Sequence, residues 1–274
     1  MKPSKLLVLG YGNMARAIVK GILDSVQKFE RITIAGRDFT KAQEFCKSFA
    51  KHEKASILCA QDIATKEIAT NGVIELESFD SVLFCIKPYG IDSFKFAGNV
   101  EIAYSVMAGI DIARIKKAIS AQNYVRVMPN VGAHFGESAS CVFAQNPHNQ
   151  DAIRAFVESF GNCVFVDSEA LIDASIATSG SSPAFLALVA QSLIDCGVYH
   201  GLSFSQAQEL VRQTFKGFAS LLEVDSAESI KQSVTSPNGT TARGLACLEK
   251  LGVRGAFIQA GIESINRAQE LAKK

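Results

Sequence analysis

In the first 167 residues, short apolar runs that stop abruptly alternate with segments of helical spacing. KLLVLG, Lys5 to Gly10, is a compact apolar run closed by glycine. In the following YGNMARAIVKGILDS, residues Met14, Ala17, Ile18, Ile22 and Leu23 share one helical face. RITIAGRD, Arg31 to Asp38, alternates and then breaks at Gly36. SVLFCIKP, Ser81 to Pro88, is continuously apolar until Lys-Pro halts it, the mark of a strand buried on both faces. The same pattern recurs over Glu101–Ile110 and Asn123–Ala133. Residues 138–145 and 162–167 add two strands around a helix near Asp151 to Phe160. A further helix is expected near Thr40 to Lys51, and the third strand falls on either Ile57–Cys59 or Val73–Leu76. Strand, helix, strand in this order predicts an α/β fold with a mostly parallel, doubly wound sheet. Arg126 lies inside an apolar strand and is expected to pair locally.

From Glu169 onward the strand patterns vanish. ALIDASIATSG is helical up to Gly180, and the next helix opens with Ser-Pro and runs to about His200. FSQAQELVRQTFKGFASLLE is amphipathic, with Leu210, Val211, Phe215, Phe218 and Leu222 on one face. Two more helices are expected near Thr240 to Leu251 and Val253 to Lys273. An all-α half with several apolar faces suits burial against a second copy of the chain. The expected division is therefore residues 1–167 and residues 168–274.

Charge narrows the function classes. With 28 basic and 27 acidic residues the net charge is +1, which gives no footprint for nucleic acid or an anionic membrane. No apolar run reaches the roughly 18 residues of a membrane span. The chain enters a strand almost at once, without a signal-peptide layout. Seven cysteines, without a CxxC pair, read as small buried hydrophobes in a reducing, cytoplasmic compartment. The four histidines have no metal-ligand spacing, so no metal is expected.

The junction Gly10-x-Gly12-x-x-Ala15 carries the first chemistry. Gly10 permits a tight turn, Gly12 lets the backbone approach a pyrophosphate, and Ala15 lets the helix pack close to the strand. At the end of the next strand, an acid would bind the ribose 2′-hydroxyl of NAD, whereas an arginine would receive the 2′-phosphate of NADP. Arg37 comes first and its planar fork suits phosphate; Asp38 is placed to cap the following helix. NADPH is thus favoured, with NADH as the alternative. Lys87 and Pro88 sit at the carboxyl end of a central strand, where ligands bind in open α/β sheets. The small pair Ala108 and Gly109 would admit a flat ring.

SVTSPNGTTARGL, Ser233 to Leu245, is the densest cluster of small polar groups in the chain. Pro237, Asn238 and Gly239 mark a tight turn, after which Thr240 or Thr241 can cap a new helix. Such an entrance favours an anion, and the hydroxyls of Ser236, Thr240 and Thr241 add uncharged polar contacts. A small carboxylate substrate is expected there, held by the backbone amides of Asn238, Gly239, Thr240 and Thr241. Ser181, in the turn Gly180-Ser181-Ser182-Pro183-Ala184, is a second hydroxyl at a helix entrance.

Taken in order, GYGNMA (10–15), CIKP (85–88), SVMAGI (105–110), VRVMPN (125–130), SGSSPAF (179–185) and SPNGTTARGL (236–245) resemble the motifs of pyrroline-5-carboxylate reductase. The resemblance spans nearly the whole chain. It implies an N-terminal Rossmann domain and a C-terminal helical domain that forms a homodimer, with larger assemblies of dimers in the family. The implied activity is NAD(P)H-dependent reduction of 1-pyrroline-5-carboxylate to L-proline. Its motifs add Tyr11, Asn13, Met14, Cys85, Ile86 and Asn130 to the cofactor contacts. They also place the Thr241 hydroxyl on the imine nitrogen, in the catalytic position. The chain departs from the family pattern at Asn238, Ser182, Arg243 and Gly36, and matches it poorly over Ser56–Phe79. Two other readings compete. A β-hydroxyacid dehydrogenase needs a lysine early in the second domain, and none occurs between Lys117 and Lys216. A nucleotide-sensing subunit would bind cofactor without turnover.

Overall fold

The computed structural model describes residues 4–25, 29–50, 56–59, 69–70 and 73–272. Packing divides the chain into two compact units, Met1–Gly180 with Ser264–Lys274, and Ser181–Glu263. The first unit therefore extends past Asp167 through the helical segment up to Gly180.

The main sheet contains β1 (Ser4–Leu9), β2 (Phe29–Ala35) and β3 (Ser56–Cys59). A small sheet holds β4 (Ala69–Thr70) and β5 (Val73–Glu75). The main sheet resumes with β6 (Ser81–Phe84), β7 (Lys95–Ala97) completes the small one, and β8 (Val100–Ser105) returns to the main sheet. β9 (Ala121–Met128), β10 (Ser138–Ala144) and β11 (Gly161–Phe165) complete the main sheet. Its order is β11-β10-β9-β8-β6-β1-β2-β3. Both candidates for the third strand are extended, but only Ser56–Cys59 joins the main sheet, in register with β2 from Arg31↔Ser56. Val73–Glu75 instead pairs with β4 and β7. The β9–β10 pair is antiparallel, Met128 lying opposite Cys141. The connection between them holds only a 3-10 turn, Val131–Phe135, too short for the crossover that a parallel pair requires.

Helices α1 (Asn13–Asp24), α2 (Phe39–Lys47), α3 (Ile112–Ala118) and α4 (Gln150–Glu158) accompany the strands. The helix expected up to Lys51 ends at Lys47, and Lys51 itself lies outside the described residues. Successive residues of β1 explain its unbroken apolar run. Leu6 and Val8 join the cluster of Ile18, Phe45 and Phe160, while Leu7 and Leu9 join that of Phe84 and Ile115. Each strand residue points to the face opposite its neighbour's, so a sheet covered on both sides needs apolar side chains at every position. Arg126 is 2% exposed and pairs with Glu169 at 3.3 Å and Asp173 at 2.8 Å, as expected of a cation in an apolar strand. Glu169 is the N-cap of α5 (Ala170–Ser175) and Asp173 lies within it, so the pair fixes that helix to the sheet.

In the second unit, α6 (Ser182–Tyr199) is followed by α7 (Phe204–Val224), which opens with a Ser203/Gln206 capping box. Then come α8 (Ala227–Ser233), α9 (Thr240–Lys250) and α10 (Val253–Ala272). The last turns of α10 pack in the first unit, where Ala268 shares a buried cluster with Met128, Cys141, Ile172 and Ile176. Neither α6 nor α9 buries a residue. The apolar face of α7, expected to meet a second copy, is largely exposed, with Leu210 at 58% and Phe218 at 43% exposure and Val211 and Phe215 half-buried. Ala170–Tyr199 is long and apolar enough to cross a membrane by length and composition, although no uninterrupted apolar run of that length exists in the sequence. Its apolar side chains are spread along a helix carrying Asp173 and Asp195.

Candidate active site

The first group of candidate residues gathers at the carboxyl ends of β1, β2, β6, β8 and β9, which run parallel. Backbone bonds stitch these ends together. Gly10 N donates to Ala35 O at 2.7 Å, Cys85 N to Leu9 O at 2.8 Å, and Val106 N to Phe84 O at 3.1 Å. Gly10 has φ +113°, and a Cβ there would stand 2.5 Å from Cys85 O. Only glycine satisfies both conditions. Gly12 is different, because it has φ −79° and a Cβ there would meet nothing within 4 Å. No protein atom explains a glycine at this position, and its bare Cα leaves open space in front of the helix. Gly12 is the N-cap of α1 without a side-chain cap, so helix geometry leaves the leading amides of Asn13, Met14 and Ala15 without partners four residues back. Ala15 is fully buried, as close packing of helix on strand demands. These residues fit a dinucleotide pyrophosphate.

At the end of β2 the two rival readers of the ribose separate. Asp38 caps α2, accepting from Lys41 N at 3.2 Å and lying 3.4 Å from Lys41 Nζ. The backbone donor of Lys41 holds its carboxyl below the usual carboxylate range. Arg37 is exposed, and among the described residues its guanidinium has no hydrogen-bond or ionic partner. Sequence reading did not reveal that the Tyr11 ring rests on Gly36: a Cβ at 36 would stand 2.1 Å from Tyr11 Cε1.

Around the central strand, burial pushes the Cys85 thiol up, so it stays protonated and acts as packing. Ile86 lies against the Gly10 turn, and Lys87 is exposed at the start of a 3-10 turn opened by Pro88. Ala108 and Gly109 follow β8, Gly109 at φ +73°. Asn130 is occupied at both ends of its side-chain amide: Oδ1 accepts from Gly132 N at 2.9 Å and Nδ2 donates to Ser179 O at 3.2 Å. It ties the end of β9 to the segment before α6.

In the second unit, Ser236-Pro237-Asn238-Gly239 forms a turn closed by Gly239 N donating to Ser236 O at 3.0 Å. Proline at the second position and a left-handed third residue, Asn238 at φ +57°, define a type II turn. A Cβ on Gly239 would stand 2.3 Å from Ser236 Oγ, so glycine lets the serine close the turn. Contrary to expectation, the N-cap of α9 is Gly239 and not a threonine. The reason is steric and local: the turn brings the chain to helical geometry one residue early. Thr240 and Thr241 become the first two helical residues, and among the described residues the hydroxyls of Ser236, Thr240 and Thr241 have no partner. Gly239's amide, one of the four expected to hold the carboxylate, is instead taken by the turn, while those of Asn238, Thr240 and Thr241 have no backbone partner among the described residues. Ser181, the N-cap of α6, likewise makes no side-chain cap bond. Alanine at 238 would have to hold the left-handed conformation without asparagine's tolerance for it. Asn238→Ala is expected to lower stability by about 1 kcal/mol and Asn238→Gly not at all, as thermal melts would show.

Comparison with known proteins now bears on this arrangement. Residues 169–271 match the model of the pyrroline-5-carboxylate reductase dimerisation region. Residues 1–75 match that of shikimate / quinate 5-dehydrogenase, the stretch containing the glycine turn. The pyrroline-5-carboxylate reductase of Helicobacter pylori is 39% identical over 266 residues, covering 96% of this chain and 98% of the relative. The chain belongs to the pyrroline-5-carboxylate reductase family. It is an NAD(P)H-dependent oxidoreductase that reduces the C=N bond of 1-pyrroline-5-carboxylate, the closing step of proline biosynthesis, and it forms a homodimer. The structure of the reductase from Streptococcus pyogenes superposes with a TM-score of 0.82 at 26% identity, covering 98% of this chain and 100% of that one. The Plasmodium falciparum reductase, solved with NADP bound, shares the fold with a TM-score of 0.74 at 22% identity over 98% and 99% of the two chains. Membership leaves no room for the dehydrogenase and sensor readings.

Proposed function

We propose that the reductase uses NADPH, and that the turn Ser236–Thr241 holds the carboxylate of its cyclic imine. The observation that carries the cofactor reading is the division of labour after β2: Asp38 is spent on its helix cap while Arg37 is unpartnered. Gly10, Gly12 and the leading amides of α1 would take the pyrophosphate, with Ala108 and Gly109 beside the ring. Bound, the reduced nicotinamide supplies a hydride to the C=N carbon. The amides of Asn238, Thr240 and Thr241 hold the carboxylate at the positive end of α9, with Ser236 and Ser181 as further hydroxyl contacts. A threonine hydroxyl is too weak an acid to protonate an imine, so Thr241 Oγ1 accepts from the N–H of an already protonated one and fixes its plane. Turnover requires that cofactor and imine meet, and the chain carries the residues for each on separate units.

The bare faces of α6, α7, α9 and α10 are read as the surface that the second copy covers, and Ala170–Tyr199 as part of it rather than a membrane span. Pairing of dimers into a larger assembly, in the cytoplasm, completes the proposal; light scattering of the purified chain gives its mass.

The cofactor reading is tested by following absorbance with racemic pyrroline-5-carboxylate and either NADPH or NADH. Arg37→Ala is expected to raise KM for NADPH about 10–100-fold, the worth of a charge-assisted contact, and to leave KM for NADH nearly unchanged. Asp38→Asn, which keeps a capping side chain, should leave both values where they were. An NADH-specific rise in Asp38→Asn would transfer the role to Asp38.

A further inference from the structure

We propose that Tyr11 is a positioning residue for cofactor choice: its ring, seated on the bare Cα of Gly36, fixes the turn that presents Arg37. The inference rests on the NADPH reading above. Tyr11 stands between the two glycines of the first turn, and Gly36 directly precedes Arg37. A Cβ at 36 would lie 2.1 Å from Cε1, 2.7 Å from Cδ1 and 3.2 Å from Cζ of the tyrosine. The ring thus fills the volume that any side chain at 36 would need.

Two things follow. First, the turn that receives pyrophosphate and the turn that reads the ribose are packed as one body. The ring is anchored by contact with the core cluster that includes Val8, Ala15 and Ile34. Second, a side chain at position 36 would have to displace the ring before it could itself reach the ribose. Discrimination at the 2′ position therefore falls to Arg37 alone, since Asp38 is held by its cap. Without the ring, Gly36 regains the conformational range of glycine and Arg37 must be ordered at the moment of binding. That cost falls on the cofactor bearing the 2′-phosphate, because only it uses the guanidinium.

The test compares Y11A, Y11F, G36N and Y11A/G36N in the full-length reductase, with kcat and KM for NADPH and NADH and a thermal melt for each. Y11A is expected to raise KM for NADPH about tenfold more than KM for NADH, because any loss at the pyrophosphate turn falls on both cofactors alike and only the ordering of Arg37 falls on NADPH. Y11F, which keeps the ring, should retain the preference. G36N must evict the ring and should resemble Y11A. The double variant should be no worse than Y11A, because the eviction has already happened; the two losses do not add. Tyr11→Leu replaces Y11A if that variant melts below the assay temperature, since it keeps apolar bulk against the core. A preference within about twofold of wild type in Y11A, or additive losses in the double variant, overturns the inference. Wild-type preference for NADH would sink the NADPH reading together with this one. Wild-type preference for NADPH with an unmoved Y11A sinks this one alone.

Discussion

Thr241→Ala is expected to lower kcat about 10²–10³-fold while the affinity for NADP+ and the melting temperature stay at wild-type values. The reason lies in what the hydroxyl touches. Thr241 is half-buried at the second position of α9, and its Oγ1 makes no bond within the described residues. Deleting it removes no contact that holds the helix, so the stability change should stay within about 0.5 kcal/mol. What it removes is an acceptor for the imine N–H, which matters only when the substrate is present and most when the ring must lie flat for hydride transfer. Thr241→Ser keeps the oxygen and should retain most of the rate. Steady-state turnover, together with the fluorescence of bound NADPH, separates these effects. Wild-type turnover in Thr241→Ala would remove the residue from the mechanism.

Gly10→Ala should damage both fold and binding, and its contrast with Gly12→Ala shows why two neighbouring glycines are not equivalent. At Gly10 the added methyl must tolerate φ +113° and a Cys85 carbonyl oxygen 2.5 Å away. Both are backbone constraints in the centre of the sheet, where nothing flexible can yield. Left-handed strain of about 1–2 kcal/mol and overpacking of about 1–3 kcal/mol add to a loss of roughly 2–5 kcal/mol. A lowered melting temperature and loss of cofactor affinity should appear together. Gly12→Ala meets no protein atom and has an ordinary φ, so it should melt as wild type does. Its methyl would project into the space in front of α1, and cofactor affinity should fall on its own. If Gly12→Ala binds NADPH as tightly as wild type, that space is not the pyrophosphate site.

Much of this was legible from residue order. β1 reads as a strand because both faces of the sheet are covered, and its glycine stop announces the turn before α1. Asp38 reads as a cap because that role is decided at the entrance of its own helix, whereas Arg126 reads only as a paired cation, its partners Glu169 and Asp173 lying 43 and 47 residues further along the chain. The motif set that identifies the reductase is likewise carried by short segments. Other features depend on partners far away in sequence. Val73–Glu75 and Ser56–Cys59 are both extended, and only the edge offered by β2 selects the second for the main sheet. Helices α6 and α9 carry apolar side chains that nothing among the described residues buries.

The sequence by itself determined the reaction class, the Rossmann half with its glycine turn, and the hydroxyl-rich helix entrance, since these rest on local backbone freedom and local hydrogen bonding. The tertiary structure alone decided that Gly239 rather than a threonine caps α9, that Asn130 is tied to Ser179, and that Tyr11 lies on Gly36. Each of those is a contact in space whose outcome is set by which atoms already fill the volume, and a linear order of residues does not contain volumes.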